Sequence, residues 1–156
     1  MYPQRTTGLV RAPRTQVYAA LLDPAAVEAW RVPDDMTSRV EVWDAVEGGR
    51  FRVSLTYRDA ERVGKSDGAT DTYAGHFVRL VPGEQVVEEL EFETGDPALA
   101  GVMTMTWTLR EDPEGTEVDL LHEGVPDGVS PEDNATGARI ALARLAAHVE
   151  GAGRPD

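Results

Sequence analysis

The sequence predicts an α+β fold: a curved antiparallel seven-stranded sheet wrapped around a long C-terminal helix, with two short helices between strands 1 and 2. Three observations predict it. The last segment, residues 130–150, places Ala138, Ala141, Leu142, Leu145 and Val149 on one side of a helix, with Arg139, Ala143, Arg144 and Glu150 on the other. Upstream of it, strand-like segments follow one another with only turns between them. A single strand-like segment precedes the two short helical ones. An amphipathic helix has to bury its apolar stripe, and the large apolar surface this chain offers is the concave face of its own sheet.

Each element has a local cause. Residues 6–11 form a short first strand that ends at Ala12-Pro13, and proline is well tolerated in the first turn of the helix that follows. Val17, Tyr18 and Leu21 share a face of that helix, residues 13–22, which Asp23-Pro24 interrupts before a second helix, 25–30, stops near Pro33. The second strand spans 39–46 and closes at Gly48-Gly49, which permits the positive φ of a hairpin turn. In the return strand Phe51, Val53, Leu55 and Tyr57 alternate with Arg52, Ser54, Thr56 and Arg58.

Residues 59–70 are polar and carry glycine, so a mobile loop between strands is expected there, suited to act as a lid. Four antiparallel strands follow as a meander over 73–81, 85–93, 102–110 and 116–123. Pro82-Gly83, Gly95-Asp96-Pro97 and residues 112–115 punctuate them. In the sixth strand Met103, Met105, Trp107 and Leu109 face the core while Thr104, Thr106 and Thr108 face solvent.

Composition bounds the function. The chain has 156 residues, enough for one domain with a substantial core; the ordered part is expected over about residues 5–150. Fifteen basic against twenty-eight acidic residues leave a net charge of −13, which repels nucleic acid and anionic lipid. Cysteine is absent, so there is no disulfide framework, thiolate metal site or cysteine nucleophile. The N-terminus is polar and no apolar run approaches the length of about 18 residues that spanning a membrane takes. A cytoplasmic location is the expectation.

The element order resembles that of the helix-grip fold of the START and polyketide-cyclase-like superfamily. Within it, Val10, Ala12, Pro13, Val17, Tyr18, Ala20, Leu21, Asp23, Pro24, Trp30 and Pro33 resemble the N-terminal signature of the family named after the activator of heat-shock protein 90 ATPase. Asp44 with Gly48-Gly49-Arg50-Phe51 resembles its hairpin, Gly75, Leu80, Pro82, Glu84 and Val87 its fourth and fifth strands, and Leu120, His122 and Gly124 its last strand. The stretch 145–149 of the final helix fits as well. The resemblance covers nearly the whole chain and implies a fold more sharply than a reaction. It departs at the start of the last helix, where members commonly carry a His and then a Gly-Trp pair. Here those positions are Asn134, Gly137 and Ala138. Losing an indole on the core-facing stripe leaves volume that a ligand, water or a shifted Trp107 can fill.

Candidates for chemistry are few. His122 shares parity with Val118 and Leu120 and so points inward, either as a ligand contact or base, or as a structural histidine beneath the helix. Glu88 is in phase with Val86, Leu90 and Phe92, the one strand carboxylate that periodicity sends inward. Buried, it needs an Arg, a His or a polar ligand; at a pocket rim it stays in water. Tyr57 is a third weak candidate for proton transfer. No His/Asp/Glu spacing suits a metal, and no nucleophile elbow, phosphate loop or dinucleotide motif occurs, so no metal or cofactor is expected.

The function expected is binding of a small hydrophobic or amphipathic molecule between sheet and last helix, as the resemblance implies. Its lining would come from Trp30, Phe51, Val53, Leu55, Tyr57, Glu88, Leu90, Phe92, Met103, Met105, Trp107, His122, Ala138 and Leu142. An adaptable methionine-rich wall suits such a ligand, although each of these residues also suits an ordinary core. Two alternatives remain open: a cyclase, aromatase or hydratase acting in the same cavity, and a co-chaperone-like interaction module suggested by the family name alone. A homodimer is compatible with the sequence, and no protein partner is indicated.

Overall fold

Alternation of inward and outward residues turns one face of the strands into a core, and it runs unbroken through the first strand, β1 (Tyr2–Val10). The computed structural model describes residues 1–59, 61–66 and 68–152. After β1 come α1 (Arg14–Leu22), α2 (Pro24–Trp30), β2 (Met36–Trp43), β3 (Arg50–Tyr57) and β4 (Thr70–Val81). The chain continues with β5 (Gln85–Phe92), β6 (Met103–Asp112), β7 (Gly115–Val125) and α3 (Pro131–Ala152). This is the predicted α+β helix-grip arrangement.

The seven strands lie in the order β1-β7-β6-β5-β4-β3-β2, each antiparallel to its neighbour. From β2 onward the sheet is a meander. β1 adds to the free edge of β7, so the first two strands in sequence form opposite edges and the two short helices span the distance between them. Register shifts in β2 between Val40 and Val42, and in β4 between Phe77 and Arg79, add local twist. At Gly75 a Cβ would lie 1.9 Å from the Glu89 carbonyl oxygen, so only glycine allows β4 and β5 this approach. The predicted glycine hairpin takes its positive φ at Gly48, 82°.

Three strands differ from expectation by three residues or more at an end, for tertiary reasons. β4 begins at Thr70 rather than residue 73, since Thr70, Asp71 and Thr72 pair with Thr56, Leu55 and Ser54. β1 begins at Tyr2 rather than residue 6, since Tyr2 and Gln4 pair with Val125 and His122. Both are also tied to the segment leading into α3: the Tyr2 hydroxyl donates to the Val129 carbonyl at 2.6 Å and Gln4 Nε2 to that of Pro131 at 2.9 Å. β2 covers Met36–Trp43 rather than 39–46, because Met36 pairs with Tyr57 while the Val46 amide turns back onto the Asp44 carbonyl.

The helix boundaries follow from capping. Asp23 ends α1, and its carboxylate accepts the Ala25 amide at 3.0 Å to start α2. The Ser130 hydroxyl accepts the Asp133 amide at 3.2 Å at the start of α3. Glu132 and Asp133 in its first turn complement the helix dipole.

All three helices pack on the core side of the sheet. The Trp30 indole donates to the Ala20 carbonyl at 2.9 Å and sets its ring edge-on to Trp107, centroids 5.6 Å apart. Trp43, Phe51 and Phe77 form a second aromatic cluster. On α3 the buried residues are Leu142, Leu145 and Val149, all in its second half, with Leu142 lying over Gly8 of β1. Ala138 and Ala141 are half-buried. No helix among the described residues is long and apolar enough to cross a membrane.

Candidate functional site

Because the second half of α3 is packed down and its first half is not, a cavity of about 350 Å³ opens between the start of α3 and the sheet. Leu55 and Tyr57 of β3, Leu90 and Phe92 of β5, and Met103 and Met105 of β6 form its apolar wall. Asn134 and Gly137 belong to its α3 side. An adjoining hollow of about 280 Å³ shares Lys65, Phe92, Met105, His122, Asn134 and Gly137 and adds Leu120 and Ala138. A Cβ on Gly137 would meet nothing within 4 Å. Ala138 borders this hollow, and Trp107 has not shifted into it but packs on Trp30.

One polar group anchors the floor. Arg31 leaves the C-terminal end of α2 with its guanidinium over the rings of Tyr73 and Trp107, 5.2 and 5.4 Å from their centroids. Its Nη1 donates to both oxygens of Glu88, at 3.2 and 3.1 Å, and the Trp107 indole donates to Glu88 Oε1 at 2.8 Å. Glu88 is 1% exposed and finds in Arg31 the cation its burial requires. Burial by itself would lower the Arg31 pKa, but the Glu88 charge and hydrogen bond, together with Tyr73, raise it, so the guanidinium stays charged.

Further polar groups meet the cavity. His122 faces the Met103 sulfur through Nε2 at 3.2 Å and the Asn134 amide nitrogen through Nδ1 at 3.4 Å, an arrangement that an Nε2-protonated ring satisfies on both sides. Burial first, and the Arg31 charge second, lower its pKa to about 4, so the ring is neutral at pH 7. Tyr73 is buried, and its hydroxyl has no hydrogen-bond partner among the described residues. Its pKa is raised by burial, with Arg31 opposing and Glu88 adding. At the mouth, Lys65 Nζ lies 2.8 Å from Asp71 and over the Phe92 ring, and Arg62 pairs with Asp35 at 3.0 Å while covering Tyr57. The segment expected to serve as a lid thus supplies side chains to the mouth; its residues 60 and 67 lie outside the described residues.

Of the residues predicted to line a site, Leu55, Tyr57, Leu90, Phe92, Met103, Met105 and His122 come together on the cavity wall. Trp30, Val53, Trp107 and Leu142 are spent in the packed core, and Glu88 holds Arg31. Ala138 borders the adjoining hollow. The Phe51 ring is buried, and the residue reaches the edge of a wider hollow on the other face of the sheet, about 570 Å³ among Arg50, Arg52, His76 and Glu91. That hollow is rimmed by charge and gathers no other predicted residue. Sequence reasoning missed Arg31, Tyr73, Lys65 and Asp71. Two signals were available: the demand of an inward Glu88 for a cation, and the shared parity of Asp71 and Tyr73 with Phe77 in β4. Among the described residues no group of His, Cys, Asp and Glu is placed to hold a metal ion.

Comparison with known proteins bears on the family. A family profile described as "Activator of Hsp90 ATPase homolog 1-like protein" matches residues 11–150. A search of curated proteins finds no match. Among solved structures, protein CV1439 from Chromobacterium violaceum superposes with a TM-score of 0.86 at 31% identity, over 99% of each chain. A protein from Rhodobacter sphaeroides gives a TM-score of 0.81 at 19% identity, covering 97% of this chain and 93% of its own. The AHSA1-like protein from Aeromonas hydrophila gives 0.72 at 20% identity, covering 97% and 94%. The last two share the fold. With the profile spanning most of the chain and the first structure matching end to end, this chain belongs to the Activator of Hsp90 ATPase homolog 1-like family.

Proposed function

We propose that the protein binds a small hydrophobic or amphipathic molecule in the cavity between the sheet and the first half of α3. The observation that carries this reading is an apolar wall of Leu55, Leu90, Phe92, Met103 and Met105 left unfilled beneath the first half of a helix whose buried residues, Leu142, Leu145 and Val149, all lie in its second half. A cavity of about 350 Å³ with a few convergent polar groups falls within the range of about 300–1,000 Å³ usual for small-molecule sites. Thioether side chains adapt to ligands of differing shape.

General acid–base catalysis in the same cavity would need a titrating group free to exchange protons with a substrate. Glu88 is committed to Arg31 and Trp107, and His122, with its pKa lowered to about 4, is a weak base. Binding is therefore the better-supported function. The test is direct: a naphthalene-sulfonate dye and a panel of fatty and aromatic compounds are titrated against the purified protein, with fluorescence and melting temperature as readouts. Saturable binding by some of them, lost or weakened in Met105→Arg, is expected. Uniform failure to bind or to raise the melting temperature overturns the reading.

A further inference from the structure

The cavity contains one buried group whose hydrogen-bonding capacity is unused. The Tyr73 hydroxyl has no partner among the described residues although the side chain is 5% exposed and lines the cavity. A buried hydroxyl left unpaired is costly and calls for an explanation. Beside it, Arg31 Nη1 is well used on Glu88, but among the described residues Nη2 donates only to the Met105 thioether, at 3.2 Å, and a thioether is a weak acceptor. Two donors, one phenolic and one guanidinium, thus belong to residues that line the cavity, and neither has an oxygen acceptor among the described residues.

The charges around the cavity are already matched. Arg31 is paired with Glu88, Lys65 with Asp71, and Arg62 with Asp35 at the mouth, while His122 is neutral at pH 7. An ionised headgroup entering this site would lose its hydration without gaining an unpaired counter-charge, and an anion beside Arg31 would also meet the Glu88 carboxylate. Resting on the binding function proposed above, we infer that the ligand is an uncharged molecule with an apolar body and a carbonyl oxygen, and that this oxygen accepts from Tyr73 and from Arg31 Nη2. Its apolar body lies along Leu90, Phe92, Met103 and Met105. The class covers ketones, esters and amides and excludes free fatty acids and amines as preferred ligands.

Three matched probes test the inference by isothermal titration with wild type and Tyr73→Phe: 2-acetylnaphthalene, 2-isopropylnaphthalene and 2-naphthoate. Tyr73→Phe deletes one oxygen that holds nothing in the fold, so its melting temperature should equal or exceed that of wild type. The expected result is that the substitution weakens the ketone about three- to tenfold, the worth of one hydrogen bond, and leaves the hydrocarbon unchanged. Naphthoate should bind wild type more weakly than the ketone. Equal ketone affinity in the two proteins, or naphthoate as the tightest probe, overturns the inference while hydrocarbon binding upholds the cavity. Failure of all three probes to bind overturns the binding function itself.

Discussion

Arg31 and Glu88, 57 residues apart in sequence, meet beneath the cavity with one guanidinium nitrogen 3.1 and 3.2 Å from the two carboxylate oxygens. The pair joins the end of α2 to the middle of the sheet. Removing one member strands a buried charge, so Glu88→Leu and Arg31→Met should each cost about 3–5 kcal/mol. The double substitution should lie closer to wild type than either single one, because a buried pair exchanged for apolar side chains is often neutral. Urea denaturation of the four proteins measures the coupling; additive losses would show that the charges do not depend on each other.

His122 predicts a pH dependence of definite sign. Its pKa falls from 6.5 to about 4 on folding, so the unfolded chain binds the proton more readily. The associated stability is complete above pH 6.5 and drains away as the pH falls towards 4, by no more than about 2–3 kcal/mol. His122→Gln should flatten that part of the stability curve, read as the difference between variant and wild type in chemical denaturation from pH 7 to pH 4. An unchanged slope would place the lost stability elsewhere.

Ala138→Trp places an indole on the α3 residue that borders the hollow beside the cavity. Probe binding should weaken while the melting temperature holds or rises. A site already packed would instead lose about 1–3 kcal/mol from crowding. Destabilisation with unchanged probe binding would remove Ala138 from the site.

Two glycines should respond in opposite directions to alanine. Gly137 lies inside α3 with open space around the added methyl, so Gly137→Ala should stabilise by about 0.5–1 kcal/mol through helix propensity. Gly75→Ala drives a methyl into the Glu89 carbonyl oxygen and should cost about 3 kcal/mol or more. Thermal denaturation of both reads out the contrast.

The order of strands and helices was legible in the sequence because alternation, Asp23-Pro24 and the glycine turns are local signals. The ends of β1 and β2 were not, since they depend on partners such as Val125, Val129 and Tyr57 that local pattern does not name. In the site, parity pointed Met103, Met105, Leu90 and His122 inward and the structure places them on the cavity wall. Parity does not say how far along the sheet the helices reach, and Trp107 and Val53, on the same face, are covered by them. Arg31 was beyond reach because it leaves the end of a helix, where no periodicity assigns direction. Tyr73 was within reach: it lies in phase with Gly75 and Phe77, ahead of the register shift in β4, and pairs with Phe92, so parity places it on the inward face.

The edge position of β1 has a consequence for how the chain acquires its structure. Val10 must wait for Thr116, and Tyr2 for Val125, before either can enter a ladder. At ribosomal speeds of about 5–20 residues per second, the first strand emerges several seconds before its partner exists. Until then β7 cannot be flanked on both sides, and the apolar residues of α1 and α2 have only a partial sheet to settle on. Such long-range closure slows folding, and it leaves apolar surface uncovered over the interval in which the start of the sheet awaits its end.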